Sequence, residues 1–437
     1  MPESEARVGF RQVFMLALPI IASNLSVPLV GLVDTAVMGR LDQSVYIGAV
    51  ALGAVTFSSL FWAFGFLRMG TTGLAAQAWG RKDGGALKKL FLNSAMLAVV
   101  FAGLVLLAGP LIAWSANAFL GAQGQVSDLL GQYIDVRLWS APAVLFNYLL
   151  IGFFIGLQKT GYALISQLSL NLTNAGLSVL FVLSWGWGVE GVALASVIAE
   201  YFALLVGAVL LASTLGGLSG HWQIGTLIDW PAYRRLLSVN ADIFVRTLCL
   251  LFAFAWFARQ GTALGATVLA ANAVLLQFIH LLSYGLDGFA HAAEALVGQA
   301  VGARSRAALV NAIRLTTVLA VLTALLYVAA YALFGGAIID WLTTQEEVRT
   351  AAAEYLPWLV AMPVLAVWSY QLDGVFIGSL QTAEMRNAML VSTAIYWVGV
   401  FFAVDLLGNH GLWLSLALFF CLRAVTLGVY LRFRFPV

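Results

Sequence analysis

Gly152-Phe153-Phe154-Ile155-Gly156 returns 222 residues later as Gly374-Val375-Phe376-Ile377-Gly378. The same offset relates further residues of the two halves: Tyr133 and Tyr355, Thr160 and Thr382, Gln77-Ala78 and Gln299-Ala300, and Gly80 and Gly302. The chain is therefore a duplicated unit. A period of about half the chain, with long apolar segments in each half, is typical of membrane transporters and not of solenoids, which carry many short repeats.

The composition excludes water as the main solvent. Of 437 residues, 62% are apolar and 10% are charged, and the mean hydropathy is +0.94, whereas a soluble domain has roughly 45–50% apolar residues. The net charge of +2, with Lys and Arg scattered along the chain, predicts no nucleic-acid partner. Cys249 and Cys421 lie inside apolar segments, which favours buried small hydrophobes over a disulfide or a metal site.

Apolar stretches of about 20 residues predict an all-α membrane protein with twelve spans, six in each half. The first predicted span follows Glu3 and Glu5 and is long, so we expect a retained helix and not a signal peptide. The predicted spans are Val13–Gly39, Ile47–Phe66, Leu90–Ala113, Tyr133–Leu157, Ala163–Trp185, Val189–Leu211, Leu237–Ala258, Leu264–Phe289, Ala308–Ile338, Ala353–Gly378, Met389–Leu407 and Leu412–Leu431.

The even number of spans in each half predicts that the two repeats have the same orientation in the membrane. We expect an N-terminal lobe of helices 1–6 over residues 1–213, an inter-lobe linker over residues 214–232, and a C-terminal lobe of helices 7–12 over residues 233–437.

Basic residues predict the orientation. If the N-terminus is cytoplasmic, Arg81-Lys82 and Lys88-Lys89 are cytoplasmic too, and the opposite side holds only Arg40, Arg259 and Arg349. Because cytoplasmic loops carry the excess of Lys and Arg, both termini are expected to be cytoplasmic.

Asp34 is the most informative polar residue of the first span. No charge precedes it for more than twenty residues, and the next charges, Arg40 and Asp42, lie beyond a full helical turn. An aspartate inside a membrane costs about 2.5–3.5 kcal/mol on insertion scales, which makes it a functional candidate. One interpretation is a carboxylate that reaches the outer interface, since the span ends soon afterwards. The other is an interior acid that loads and releases a proton.

Two prolines, Pro19 and Pro28, lie in the same span. Each removes a backbone donor and crowds the preceding turn, so a kinked or easily bent helix is expected. Prolines are also simply common in membrane helices, which is the alternative explanation.

Polar side chains recur at helical spacing in the fifth span. Asn171, Asn174 and Ser178 fall on one face, and Ser196 lies in the sixth span. Their amides and hydroxyls can hydrogen-bond Asp34 or line a wet cavity. Equally, they can join helices without binding any ligand.

The second half carries a denser polar group. Asp242 and Arg246, four residues apart, are predicted to pair with each other. The other members of this group are Asp287, His291, Glu294 and Asp373. The first-half positions that match them carry no charge, so the repeated fold does not require these polar residues. They are therefore candidates for a second-lobe cavity or gate.

Motifs of enzymes and ATP-driven pumps are missing. The sequence contains no GxxxxGK[ST], HExxH or GxSxG pattern. We therefore expect no catalytic residues, no metal and no cofactor, and transport driven by an ion gradient is favoured.

Several stretches together resemble the multidrug and toxic compound extrusion (MATE) transporters, in their bacterial DinF-like branch. They are Val33-Asp34-Thr35-Ala36-Val37-Met38-Gly39, Asn171-Leu172-Thr173-Asn174, Ala195-Ser196-Val197-Ile198-Ala199-Glu200-Tyr201, Tyr284-Gly285-Leu286-Asp287-Gly288-Phe289-Ala290, Leu372-Asp373-Gly374-Val375-Phe376-Ile377-Gly378, Glu384-Met385-Arg386-Asn387 and Gly408-Asn409-His410-Gly411-Leu412-Trp413-Leu414.

The resemblance implies a V-shaped transporter of two six-helix lobes that exchanges organic compounds for protons or sodium by alternating access. It also implies that Asp34 is the coupling carboxylate, that Tyr133, Asn174 and Ser196 surround it, and that Pro19 is the bending point of the first helix. Ser178 stands where related members carry a second acid. One carboxylate fewer favours protons, although Asp34, Asn174 and Ser178 still offer oxygens for sodium.

We therefore expect proton-coupled antiport of small-molecule drugs or dyes by a monomeric multi-pass protein of the bacterial inner membrane. Sodium-coupled antiport is one alternative. A lipid-linked precursor flippase is another, and it would be expected to have a wide basic cavity. The arginines near membrane depth are Arg68, Arg137, Arg246 and Arg423.

Overall fold

The computed structural model describes residues 8–40, 44–222 and 229–434, and every regular element in these ranges is helical. Both chain ends, Asp42 and residues 223–228 of the predicted linker lie outside the described residues. The helices are α1 (Phe10–Met38), α2 (Ser44–Ala63), α3 (Phe66–Gly80), α4 (Gly84–Leu107), α5 (Gly109–Leu120), α6 (Gln125–Arg137), α7 (Ala141–Gly156), α8 (Thr160–Ser178), α9 (Gly188–Gly216), α10 (Trp230–Ala263), α11 (Ala266–Gly302), α12 (Arg306–Leu342), α13 (Glu346–Ser379), α14 (Thr382–Leu407) and α15 (Asn409–Arg434). A 3-10 turn (Leu138–Ser140) joins α6 to α7, and a π-helical segment (Val179–Ser184) follows α8.

Twelve segments of the described residues are long and apolar enough to cross a membrane, which confirms the predicted number. Three of them join neighbouring elements: Val45–Gly80, Gln125–Gly156 and Thr160–Ser184. Helices α11 and α12 have 37 residues each. At 1.5 Å per residue such a helix is about 55 Å long, against about 30 Å for the hydrocarbon core, so both are long enough to extend beyond it or tilt within it.

The third span ends earlier than the sequence predicts. Hydropathy continues it to Ala113, whereas α4 ends at Leu107 and α5 begins at Gly109. Pro110 lies in the first turn of α5, where its missing N–H needs no partner. Inside a continuous helix the same proline would remove a hydrogen bond and clash with the preceding turn, so the chain starts a new helix here.

Large apolar side chains are exposed on the outside of the helices. Phe119, Trp341 and Leu406 are 85%, 82% and 81% exposed. Water would penalise this surface at about 25 cal/mol per Å², whereas lipid tails are as apolar as the side chains themselves. The distribution agrees with a multi-pass membrane protein.

The repeated glycines permit close helix packing in the first half. A Cβ on Gly152 would lie 2.6 Å from the carbonyl oxygen of Arg68, and one on Gly156 would lie 2.8 Å from that of Thr72. Only a residue without a side chain lets α7 approach the backbone of α3 this closely.

The second half repeats this packing at the matching positions. Gly374 lies against the backbone of Ala290, and a Cβ on Gly378 would lie 2.6 Å from the carbonyl oxygen of Glu294. Helix α13 therefore packs on α11 as α7 packs on α3. This shared contact is the physical reason for the motif that recurs in the sequence.

The chain divides into two compact units. One consists of residues up to Ile21 together with residues from Ala241 onward, and the other consists of Ala22–Asn240. Both boundaries fall inside helices, namely α1 and α10, the first helices of the two predicted repeats. Within the Ala22–Asn240 unit, Met38, Phe57 and Tyr133 belong to one buried apolar cluster.

Two neighbouring lysines attach both sides of the predicted linker to α4. The buried Lys88 Nζ donates to the carbonyl oxygens of Leu218 at 2.9 Å and Gly220 at 2.8 Å. Lys89 pairs with Asp229 and thereby holds the pKa of Asp229 below its usual value. The described ends of the linker are therefore fixed to the unit that contains α4.

Candidate functional site

Asp34 lies near the end of α1, which is one helix from Phe10 to Met38 and contains both Pro19 and Pro28. The Ser178 hydroxyl donates a hydrogen bond of 2.9 Å to Asp34 Oδ1. Among the described residues, Asp34 has no ion-pair partner within 4 Å. Its carboxylate therefore meets a neutral donor, and no direct ion pair compensates its charge.

Ser178 is the last residue of α8, and the π-helical segment Val179–Ser184 begins directly after it. A π-helical segment widens the turn and shifts the following residues around the helix axis. Such segments are frequent at functional sites, and this one starts directly after the residue that contacts Asp34.

Asn174 lies one turn before Ser178 on the same face of α8. Its Nδ2 donates to the Ser196 hydroxyl of α9 at 2.9 Å. Its buried Oδ1 has no hydrogen-bond partner among the described residues. An unused buried oxygen costs free energy unless a proton donor or a cation occupies it.

Asn171, further along this face, connects α8 to α1. Its Nδ2 donates to Ser26 Oγ at 2.6 Å, and Gln167 Nε2 donates to its Oδ1 at 3.0 Å. Asn171 therefore joins helices, as one of the two sequence interpretations predicts for this group.

Tyr133 of α6 is buried in the apolar cluster of the same unit. Its ring centroid lies 6.1 Å from that of Phe57, and its Cγ would lie 3.0 Å from a Cβ on Gly53 of α2. Gly53 therefore lets the aromatic ring lie against the backbone of α2. Electrostatic interactions connect Tyr133 to Asp34 and to Arg137.

Arg137 and Glu200 also form part of this region, although neither is among the site residues predicted from the sequence. Arg137 Nη2 lies 3.6 Å from Glu200 Oε1, and Asn147 Nδ2 donates to Glu200 Oε2 at 2.9 Å. Arg137 also interacts electrostatically with Asp34. The signal that could have found them is a charge inside a predicted span, the same signal that selected Asp34.

In the second half, Asp373 is the centre of a buried ion-pair cluster. Its Oδ2 accepts from Arg246 Nη2 and, at 2.7 Å, from Arg423 Nη2. The predicted pair of Asp242 with Arg246 is therefore wrong. Asp242 instead accepts from Arg386 and from the Thr382 hydroxyl. Helical spacing alone predicted a local partner, whereas the packing of α10 against other helices supplies closer ones.

The other second-half candidates lie on α11. Asp287 interacts electrostatically with Arg246 and with Tyr370, whose hydroxyl lies 2.5 Å from the Ser283 hydroxyl. One turn later His291 Nδ1 lies 3.7 Å from Glu294 Oε1, and Glu294 is buried. The shared face expected for Asp287, His291 and Glu294 thus carries an ion-pair cluster at one end and a histidine–carboxylate contact at the other.

Oxygen atoms dominate the polar groups near Asp34. A hard cation such as sodium takes several oxygen ligands, and the Asp34 carboxylate, the Ser178 hydroxyl and Asn174 Oδ1 are oxygens of this kind. A proton needs only the carboxylate. These oxygens can therefore bind a proton without further ligands. They can bind sodium if further oxygens, such as those of water, complete the coordination shell of the ion.

Comparisons with known proteins agree with this architecture. The MatE family model matches residues 19–180 and 243–404, one match in each half. The DNA damage-inducible protein F of Escherichia coli K12 is 41% identical over 420 residues, covering 95% of this chain and 91% of that protein. A probable multidrug resistance protein NorM of Bradyrhizobium diazoefficiens is 25% identical, covering 96% and 92%. An outward-facing multidrug resistance MATE family transporter of the MOP superfamily has a TM-score of 0.87 at 20% identity, covering 97% and 95%.

Proposed function

The chain belongs to the MatE family of multidrug and toxin extrusion transporters, and on that premise we propose that it exports organic compounds in exchange for protons bound at Asp34. Family membership makes it a multi-pass membrane transporter and not an enzyme. The coupling ion, the coupling residue and the direction of exchange are parts of the proposal.

One observation supports the proposal most directly: the close contact of the Asp34 carboxylate is a neutral hydroxyl donor, Ser178. A carboxylate in an ion pair stays ionised and cannot exchange a proton readily, whereas one held by a single hydroxyl can. Asp373, bound by two guanidinium groups, is the contrasting case in the other half. Asp34 is therefore the better candidate for loading and releasing a cation.

The proposed cycle uses α1 as the moving element. A proton binds Asp34 in the outward-open state, α1 bends at Pro19, the substrate leaves, and the lobes then change access. A proton that enters down 100 mV releases about 2.3 kcal/mol, and one pH unit adds about 1.4 kcal/mol. Together these support a substrate gradient of roughly 500-fold at one-to-one exchange of a neutral compound.

Sodium coupling is the second candidate, and the unpaired Asn174 Oδ1 favours it. This buried oxygen is one turn from Ser178, and a sodium ion would satisfy it together with the Asp34 carboxylate. Protons are favoured because Ser178 supplies a neutral oxygen where a second carboxylate would strengthen a sodium site.

The lipid-linked precursor flippase has less support. It needs guanidinium groups that are free to bind a pyrophosphate. Arg246 and Arg423 are bound by Asp373, and Arg137 lies beside Glu200. Arg246 and Arg423 are therefore committed to a carboxylate of the protein itself, and Arg137 already faces one.

We also propose that the protein is a monomer of the inner membrane with both termini in the cytoplasm, acting on small cationic or aromatic compounds. The positive-inside distribution supports the orientation. The proposed lobes are residues 1–213 and 233–437, joined by residues 214–232.

Purified protein in liposomes tests the function and the ion together. A fluorescent cationic dye is followed under a pH gradient in sodium-free buffer, under a sodium gradient at equal pH, and with neither. Dye movement against its gradient under the pH gradient alone, abolished by a protonophore, is expected. Dye movement under the sodium gradient alone would show that sodium is the coupling ion. No dye movement under either gradient would contradict cation-coupled export.

A further inference from the structure

Glu200 is a largely buried carboxylate within a candidate membrane span of the unit that contains Asp34. It lies in the middle of α9, with its side chain 12% exposed. Asn147 Nδ2 donates to its Oε2 at 2.9 Å and to its backbone oxygen at 3.0 Å. An ionised carboxylate at this depth requires a positive partner as well as this amide.

Arg137 is that partner, and it also hydrogen-bonds the Tyr133 side chain. Its Nη2 lies 3.6 Å from Glu200 Oε1, which is longer than a hydrogen bond. Its buried Nη1 has no hydrogen-bond partner among the described residues. A guanidinium with an unused buried donor has unsatisfied capacity for a second acceptor.

The surroundings of Arg137 allow its guanidinium to shift. Its Cζ lies 5.7 Å from the ring centroid of Phe57 and 5.7 Å from that of Phe61. Aromatic faces attract a cation without fixing its direction, unlike a bidentate carboxylate. A small rotation of the side chain therefore changes which carboxylate it favours at little cost.

Asp34 is within the electrostatic reach of the same guanidinium. Val33 and Val37 pack in the same apolar cluster as Phe57 and Phe61, the two rings that Arg137 faces. Arg137 therefore interacts with two carboxylates, Asp34 of α1 and Glu200 of α9, and its contact with Glu200 is a long one. We propose that Arg137 is shared between Asp34 and Glu200, and that neutralising Asp34 with a proton or a cation moves the guanidinium onto Glu200.

This inference deepens the proposed function and rests on it, because it takes Asp34 as the group that loads the cation. Arg137 and Glu200 are positioning residues, since they act through Asp34. They set the proton concentration at which Asp34 loads. They also couple the charge of Asp34 on α1 to α9, because the Arg137 guanidinium on α6 pairs with one carboxylate or the other.

The other ionisable groups around this triad come from the neighbouring helices. Helix α2 faces Arg137 with Phe57 and Phe61, which carry no charge, and α5 contains no ionisable side chain. Asp34 meets the Ser178 hydroxyl from α8. The remaining groups are Tyr133 of α6, Tyr148 of α7, which interacts with Glu200 and Arg137, and Arg68 of α3, which interacts with Tyr148.

Charge-neutral variants separate this role from a structural one. Glu200→Gln keeps an oxygen that can accept from the Asn147 amide but removes the negative charge. Of the two carboxylates, only Asp34 then attracts the Arg137 guanidinium. The half-maximal pH of dye export should therefore fall by about one unit, because the ionised form of Asp34 gains stability. Arg137→Gln should raise the half-maximal pH by a similar amount, because Asp34 loses its positive neighbour and keeps Glu200 nearby.

The double variant Arg137→Gln/Glu200→Gln is the decisive control. It removes both charges, whose effects on Asp34 oppose each other, so its half-maximal pH should return towards that of the wild type. Because it removes both members of the Arg137–Glu200 pair, it leaves neither charge without its partner, and it remains measurable even if Arg137→Gln alone does not fold. Arg137→Lys, which keeps the charge, should also stay close to the wild type.

The outcomes distinguish this inference from the proposed function. The shared guanidinium is supported if the half-maximal pH shifts in opposite directions in the two single variants. It is also supported if Glu200→Gln lowers the half-maximal pH and the double variant reverses this fall. Lower activity with an unmoved pH profile in Glu200→Gln and in the double variant would overturn it and leave Asp34 coupling intact. Export by the wild type without any proton dependence would instead overturn the proposed proton coupling.

Discussion

Ser178, the last residue of α8, donates a 2.9 Å hydrogen bond to Asp34 near the end of α1. The contact joins two helices that the chain separates by 144 positions. It holds the carboxylate by a neutral donor, and the π-helical segment that follows Ser178 marks the place where α8 departs from regular geometry.

Loss of this hydrogen bond should shift the pH dependence of export. In Ser178→Ala the ionised Asp34 loses its donor, so Asp34 holds its proton more tightly and the half-maximal pH rises by about one unit. Dye export by reconstituted protein between pH 5 and 9 measures the shift. Ser169→Ala is the matched control, because this exposed hydroxyl of α8 donates only to the Ile165 backbone oxygen. Equal profiles for Ser178→Ala and the wild type would contradict the importance of the contact.

The repeated glycines should not tolerate even alanine. In Gly156→Ala and Gly378→Ala the new Cβ lies under 3 Å from a backbone oxygen of the facing helix, so the helices must separate. Overpacking of this kind costs about 1–3 kcal/mol, and thermal unfolding in detergent should show a lower midpoint for both variants.

Gly103→Ala provides the control for these glycines. Gly103 lies within α4, and a Cβ there meets nothing within 4 Å. Alanine should leave the unfolding midpoint unchanged or raise it slightly, because it favours helix by about 0.5–1 kcal/mol. A similar fall of the unfolding midpoint in all three variants would show that these positions need glycine for a reason other than close packing.

Asp373→Asn should destabilise the protein more than it changes coupling. It removes the carboxylate that both buried guanidinium groups of Arg246 and Arg423 contact, and breaking such a cluster costs about 3–5 kcal/mol. The yield of monodisperse protein and the unfolding midpoint should fall sharply. Asp34→Asn should change both little, because Asp34 has no ion pair among the described residues and asparagine still accepts from Ser178. Equal stability of the two variants would contradict the distinction between them.

Lys88 and Lys89 should contribute differently to the attachment of the linker. Lys88→Met removes a buried ammonium that binds two carbonyl oxygens, so the unfolding midpoint should fall and the linker should be cleaved faster by protease. Lys89→Met removes a partly exposed pair and should change both little. Because Lys89 holds the pKa of Asp229 below its usual value, that pair persists at neutral pH and is lost only as the pH falls through the lowered pKa.

Much of the fold follows from the sequence alone. Hydropathy predicted all twelve spans, because each helix must satisfy its own backbone in lipid and present apolar side chains there. The repeated glycines predicted the duplication, which the two matches of the MatE model confirm. The short helix α5 was not predicted, because hydropathy averaged over a window of residues is insensitive to the helix break at Pro110.

Less of the site could be predicted, because it depends on distances between helices. The approach of Ser178 to Asp34 was consistent with helical spacing. The pairing of Arg246 with Asp373 was not foreseen, since spacing along a helix is visible in a sequence and contact between helices is not. Arg137 and Glu200 each carry a sequence signal, a charge inside a predicted span, but their contact with each other depends on the packing of α6 and α9.

The most direct measurement uses everted vesicles with an imposed pH gradient and compares the wild type with Asp34→Asn. Addition of a cationic dye should collapse the gradient in wild-type vesicles and not in Asp34→Asn. Asp135→Asn, at an exposed aspartate of α6 in the same unit, should behave as the wild type. An unchanged collapse in Asp34→Asn would contradict the assignment of Asp34 as the coupling carboxylate.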